Sequence, residues 1–167
     1  LIKEVSDALI INQKMFTKLD FMFAKGMYAK EIKGQVPIIK EGKTSIEFSH
    51  ARHPLLDAKS VVANDVSLGK NKDIIIVSGP NAGGKTVYLK TIGLLCLMAL
   101  SGLAISVDGK CELTYLSDIC LDIGDEQSIE KNLSTFSSHM SKLINIIDNV
   151  DDKSLVLLDE IGGGTDP

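Results

Sequence analysis

Cysteine is scarce in this chain of 167 residues: Cys96, Cys111 and Cys120 are an odd number and form no C-x-x-C pair. A disulfide framework or a zinc site needs more thiols at closer spacing, so the sequence reads as one kept reduced in the cytoplasm. A basic surplus is absent too, because 18 Lys and Arg stand against 22 Asp and Glu, for a net charge of −4. This stretch therefore lacks the electrostatic footprint of a nucleic-acid-binding surface. Long apolar runs are missing as well. The longest uncharged run, 17 residues from Thr91 to Val107, contains Gly93, Ser101 and Gly102 and directly follows a glycine-rich motif. It reads as a buried core helix rather than a membrane span. Leu1 is not an initiator methionine, and no charged segment leads into a short apolar one, so no secretory signal is visible. With 44% hydrophobic and 24% charged residues, the composition also excludes an intrinsically disordered chain. One domain of this length, with some appendage, can bury roughly 70% of its unfolded surface.

What is present alternates between helix and strand signals. In residues 1–30, Val5, Leu9, Phe16, Leu19, Phe23 and Met27 recur at helical spacing, and Lys3, Glu4, Asp7, Lys14, Lys18 and Lys25 fall mostly off that stripe. This predicts one long helix packed on a core, ended by Gly34 and Pro37. Residues 36–68 are short pieces with turn signals at Glu41-Gly42 and His53-Pro54, and Thr44–Phe48 alternates as a half-buried strand does. Ile74-Ile75-Ile76-Val77 is a continuous β-branched run, expected as a strand buried on both faces of a parallel sheet. A helix over about 85–100 follows, then strands over 111–116 and 118–123. Ser134 is placed as the N-cap of a helix over about 135–149, whose core face is Phe136, Met140, Leu143, Ile144 and Ile147. Ser154–Leu158 is a second buried strand. The alternation predicts an α/β fold with a mostly parallel sheet flanked by helices.

Gly79-Pro80-Asn81-Ala82-Gly83-Gly84-Lys85-Thr86 matches G-x-x-x-x-G-K-[ST] in full. Glycines let the backbone wrap an anion with its N–H groups turned inward, and the following helix presents its positive end to the same phosphates. Lys85 supplies a mobile cation for the β- and γ-phosphates, and the Thr86 hydroxyl is a hard oxygen ligand for Mg²⁺. Leu155–Leu158 then ends in Asp159 and Glu160. In a nucleotide site Asp159 would hold the Mg²⁺ shell, and Glu160 would orient or deprotonate the attacking water. The guanine-reading N-K-x-D pattern is absent, which favours ATP over GTP.

Further stretches narrow this reading. Ala51-Arg52-His53-Pro54-Leu55-Leu56, the phosphate loop, Asp125-Glu126-Gln127-Ser128, Leu133-Ser134-Thr135-Phe136-Ser137-Ser138-His139-Met140 and Asp159-Glu160-Ile161-Gly162-Gly163-Gly164-Thr165-Asp166-Pro167 occur in that order. Together they closely resemble the ATPase domain of the MutS family, and the G-D-E-Q-S and G-G-G-T-D-P segments are similar to its second bacterial type. That branch is associated with recombination suppression and carries a C-terminal Smr nuclease domain. The likeness spans residues 36–167, which would be the N-terminal part of an ABC-type P-loop NTPase domain, stopping after the acidic strand. Residues 1–35 look like the end of the family's lever helices.

The resemblance implies an ATPase that works as a homodimer with ATP sandwiched between subunits. Ser134 is then similar to the signature serine that reaches the γ-phosphate of the opposite subunit, a role compatible with capping a helix. Asn81 matches a γ-phosphate contact. Gln127 resembles a residue coupling nucleotide to the rest of the machine, with Asp125 and Glu126 competing for that role. Val62, in Val61-Val62-Ala63-Asn64, aligns with the part that packs against adenine, though a plain core strand would read the same way. ABC transporters and chromosome-maintenance ATPases carry Leu-Ser-Gly-Gly where this chain has Leu133-Ser134-Thr135-Phe136. His50 and His53 lack a third ligand and are read as structural, and His139 as a helix-surface residue. The implied function is an ATP-hydrolysing module of a protein acting on branched or recombining double-stranded DNA. DNA contacts and any endonuclease would lie in other domains. The alternative is a ribosome-associated quality-control factor that splits stalled ribosomes and binds RNA.

Overall fold

The computed structural model describes residues 2–69, 71–80, 83–123 and 132–160, with side chains described from residue 5 onward and, in the last segment, from residue 139. Helix α1 runs over Ile2–Glu31, as the apolar stripe predicts. Its end is closed by the N–H of Gly34 donating to the Ala29 carbonyl at 2.8 Å and that of Lys33 donating to Lys30 at 3.3 Å. That pair of bonds is the Schellman arrangement, with Lys33 in the left-handed conformation at φ 50°. The stripe itself is not packed on a core: Phe16, Phe23 and Met27 are about 70% exposed (70%, 69% and 73%). A helix of 30 residues is about 45 Å long, and among its described side chains Tyr28 near its end, with Ile32 just beyond, packs against the core.

Strands β1 (Ile38–Lys40), β2 (Ile46–Ala51), β3 (Asn64–Leu68) and β4 (Cys111–Thr114) form one sheet in the order β1-β4-β2-β3. β1 and β4 are parallel, whereas β2 is antiparallel to both β3 and β4. The mostly parallel sheet expected from the sequence is thus a mixed one. The reason lies in β2, which buries Ile46, Phe48 and Ala51 and leaves Glu47 and Ser49 half-covered. One covered face and one wet face is the pattern of antiparallel pairing, and long crossovers are not required for it. A register shift between Phe48 and Ala51 puts His50 at φ 51°, held by its N–H donating to Asp65 Oδ1 at 2.7 Å.

Helix α2 spans Lys85–Leu100, and strand β5 (Asp118–Asp122), helix α3 (Asn132–Asn149) and strand β6 (Ser154–Leu158) follow among the described residues. β5 and β6 pair in parallel through the α3 crossover, in register from Asp118↔Ser154 to Asp122↔Leu158. This is the βαβ unit that the sequence predicts. The buried face of α2 (Ile92, Leu95, Cys96, Ala99) lies between the two sheets, in one core with Ile46, Phe48, Leu113, Leu155 and Leu157. Three expectations fail locally. On α3, Met140, Ile144 and Ile147, expected on a core face, are exposed, because a 3.6-residue apolar period gives a helix one face without supplying a surface to cover it. Ile74–Val77 forms no strand and is uncovered, Ile74 being 80% and Ile76 86% exposed. β-branching favours an extended chain, but a strand needs a ladder partner, and none is present among the described residues. Ser134 lies inside α3, two residues after its first residue Asn132; Asn and Ser both favour helix starts, so residue type alone does not choose between them.

Candidate nucleotide site

The site is built where α2 begins. Gly84 is its N-cap, in the left-handed conformation (φ 79°, ψ 16°) with no side-chain cap, so the turn from loop to helix needs a residue without Cβ. The N–H of Gly83 donates to the Pro80 carbonyl at 2.9 Å, and the Lys85 ammonium folds back to donate to the Gly79 carbonyl at 2.8 Å. Gly79, Pro80, Gly83, Gly84 and Lys85 line a cavity of about 800 Å³. Asn81, Ala82 and Gln127 lie outside the described residues, as does the side chain of Ser134.

The same cavity is also lined by Val62 and Asn64. Val62 is 74% exposed and precedes β3, so it is not part of a core strand; its apolar face is open to whatever enters. Tyr88, also in the lining, donates its hydroxyl to the Asp65 carbonyl at 3.2 Å. Burial, reinforced by the Asp65 charge, raises the Tyr88 phenol above its ordinary pKa. Tyr88 escaped the sequence reading, although its position three residues after Lys85 on α2 places both on one helix face. His53, read as structural, lines the same cavity, and its Nδ1 accepts the Leu55 N–H at 3.3 Å.

The two expected metal ligands meet, although they are far apart in sequence. Thr86 Oγ1 donates to Asp159 Oδ2 at 2.5 Å, joining the first turn of α2 to the end of β6. Glu160 follows, exposed and in the left-handed conformation at φ 49°. Among the described residues no group of three or more His, Cys, Asp and Glu could enclose a metal. A hydroxyl beside a single carboxylate instead fits Mg²⁺, which keeps water and phosphate oxygens as its remaining ligands. The N–H of Asp159 is itself held by the Asp122 carbonyl at 2.9 Å. Asp122 is nearly fully buried and pairs with His139 on α3, so His139 is not a plain helix-surface residue. Neither role is visible in the sequence as a motif. The available signal is topological, because the carboxyl ends of neighbouring parallel strands are where ligands gather.

A glycine loop leading into a helix, a lysine folded over that loop and a threonine–aspartate pair beneath it define a phosphate-loop nucleotide-binding domain. Residues 75–167, more than half of the chain, match the family described as MutS domain V. The chain belongs to the MutS family, in its MutS2 type, and domain V is the ATPase domain of that family. It is 50% identical to Endonuclease MutS2 of Clostridium kluyveri over 99% of this chain and 21% of that protein. It is also 50% identical to Endonuclease MutS2 of Bacillus cytotoxicus, over 97% and 20%, and to Putative endonuclease MutS2 of Bacillus subtilis, over 98% and 21%. The chain thus spans about a fifth of the length of these relatives. Among the described residues, no helix is long and apolar enough to cross a membrane.

Proposed function

We propose that this chain binds ATP with Mg²⁺ in the cavity between the glycine loop and Val62, and that ATP hydrolysis there drives a MutS2-type protein acting on DNA. The observation that supports the reading is the Thr86–Asp159 contact, which brings together two hard-oxygen groups of the kind a phosphate-bound Mg²⁺ takes as ligands. Mg²⁺ supplies charge neutralisation for phosphoryl transfer when bound. The chain's own groups then bind and orient. Lys85 leaves the Gly79 carbonyl for phosphate oxygens, Val62 covers the adenine, and Glu160 orients the attacking water. Ser134 and Asn81 are assigned to the γ-phosphate, Ser134 from a second copy of the chain across a homodimeric ATP sandwich, and Gln127 to coupling with the remaining domains.

The net charge of −4 supports a division of labour in which other parts of the protein contact branched or recombining DNA. The relatives are named endonucleases. In this reading nuclease chemistry lies outside the span, because the chemistry-bearing groups assembled here serve a nucleotide. The role suggested is restraint of recombination between DNA duplexes in the cytoplasm.

Calorimetry of Mg²⁺-ATP binding to the full-length protein tests the site. Lys85→Ala is expected to weaken binding by about a hundredfold, the scale for truncating one partner of a desolvated charge pair. Glu160→Gln is expected to leave binding intact and to lower kcat by about 10² to 10⁴, the range for general-base catalysis. Wild-type turnover in Glu160→Gln would remove that role, and undiminished binding in Lys85→Ala would remove the site. Crosslinking in cells, followed by sequencing of the bound nucleic acid, tests the partner; recovery of ribosomal RNA alone would overturn the DNA reading.

A further inference from the structure

Asp122 ends β5 and sits level with Leu158 across the parallel ladder, only 5% exposed. A buried carboxylate needs partners, and those of Asp122 come from α3. Oδ2 lies 2.9 Å from His139 Nδ1, and Oδ1, which accepts no hydrogen bond among the described residues, faces the Lys142 ammonium at 3.6 Å. A carboxylate accepts, so His139 donates through its Nδ1–H. His139 and Lys142 are three residues apart and therefore project from one helix face. In the part of this helix whose side chains are described, Met140, Ile144 and Ile147 are exposed (41%, 53% and 73%), while Leu143 and Ile146 are half-buried. The polar clamp ties His139 and Lys142 of this helix to the end of β5. The opposite end of the same residue faces the metal side of the site. The Asp122 carbonyl accepts the Asp159 N–H at 2.9 Å, and Asp159 holds Thr86.

We propose that Asp122 is a positioning residue for nucleotide hydrolysis, one that fixes the orientation of α3 and the placement of Asp159 through a single side chain and its own carbonyl. The proposal rests on the ATP reading above. Any tilt of α3, the helix that carries Ser134, then reaches Asp159 through one residue, and loss of the His139 contact loosens both.

The test uses the full-length protein with His139→Leu, His139→Asn and Asp122→Asn, all assayed well below their melting temperatures. Readouts are kcat, KM and the affinity for a fluorescent N-methylanthraniloyl ATP analogue, with Mg²⁺ and with EDTA. In His139→Leu we expect kcat to fall about tenfold, at the low end of the range for groups that orient metal ligands, with KM little changed. Analogue binding in EDTA stays at the wild-type level, and the Mg²⁺ concentration for half-maximal tightening rises. His139→Asn, whose amide can donate from the position of Nδ1, recovers most of kcat. Asp122→Asn reproduces the Leu variant, and if it fails to fold the two His139 variants decide alone. Wild-type kcat in His139→Leu, or a loss that follows melting temperature and is not rescued by Asn, would overturn the positioning role. A wild-type protein that neither binds the analogue nor hydrolyses ATP would overturn the ATP reading itself, and this proposal with it.

Discussion

Side chains fixed by local chemistry are the ones the sequence displays. Lys85 and Thr86 stand in a fixed-spacing glycine-loop pattern, Asp159 ends an apolar strand, and Thr86 and Asp159 meet at 2.5 Å. Asp122, His139 and Tyr88 owe their positions to neighbours far along the chain, and no short pattern marks them. Lys33 is a third kind of case, where local rules are broken. Its left-handed conformation at the end of α1 is one that glycine adopts without cost, while a residue with a Cβ loses roughly 1–2 kcal/mol. The sequence offers Gly34 one position later, where its N–H makes the shorter of the two closing bonds, at 2.8 Å. Lys33→Gly should therefore stabilise the end of α1 by about 1 kcal/mol, less what the more flexible unfolded chain gives back. Hydrogen exchange at the amides of residues 29–34 reads this directly, and faster exchange in the variant would refute it.

At the scale of elements, periodicity identified helices well and strand pairing poorly. A helix closes its hydrogen bonds within one segment, so α1, with its apolar stripe, and α2, the apolar run after the glycine loop, fall where their sequences place them. A strand is a property of two segments. Ile74–Val77 has the composition of a core strand and none of the pairing, while β4 and β5, adjacent in sequence, belong to different sheets. The antiparallel β2–β3 pair shows how much one backbone contact can decide. It ends at Gly69, whose N–H and carbonyl exchange hydrogen bonds of 2.7 Å and 2.9 Å with Lys72. Gly69 adopts φ +90°, and a Cβ there would lie 2.7 Å from Ser45 Cα and closer still to the Thr44 carbonyl oxygen. Gly69→Ala combines left-handed strain with a backbone clash and should cost about 2–4 kcal/mol. A urea midpoint unchanged from wild type would show that β2 and β3 can part at that end without loss.

Over the whole molecule, both sheets close on α2, so one core carries the stability of the body beneath the nucleotide site. Cys96 lies at its centre, fully buried between Ile92, Leu95 and Ala99 on the same helix. Burial pushes the Cys96 thiol up to about 12 and that of Cys111 to about 11, against 9.0 for a free thiol. The folded protein thus favours the protonated thiol, whereas the unfolded chain releases the proton from pH 9.0 upward. The stability contributed by that difference is complete below pH 9 and declines as pH rises toward 12. By pH 10.5 Cys96 alone should have cost about 2 kcal/mol, an order-of-magnitude figure from 1.36 kcal/mol per pKa unit. Lysines and tyrosines titrate in the same range, so the comparison is between two slopes. In urea denaturation followed by far-ultraviolet circular dichroism, stability should fall more between pH 8 and 10.5 in the wild type than in Cys96→Ala. The variant starts lower because it leaves a cavity, but its curve should be flatter. Equal slopes would mean that the core admits water at Cys96, and the two sheets would then not share one closed interior.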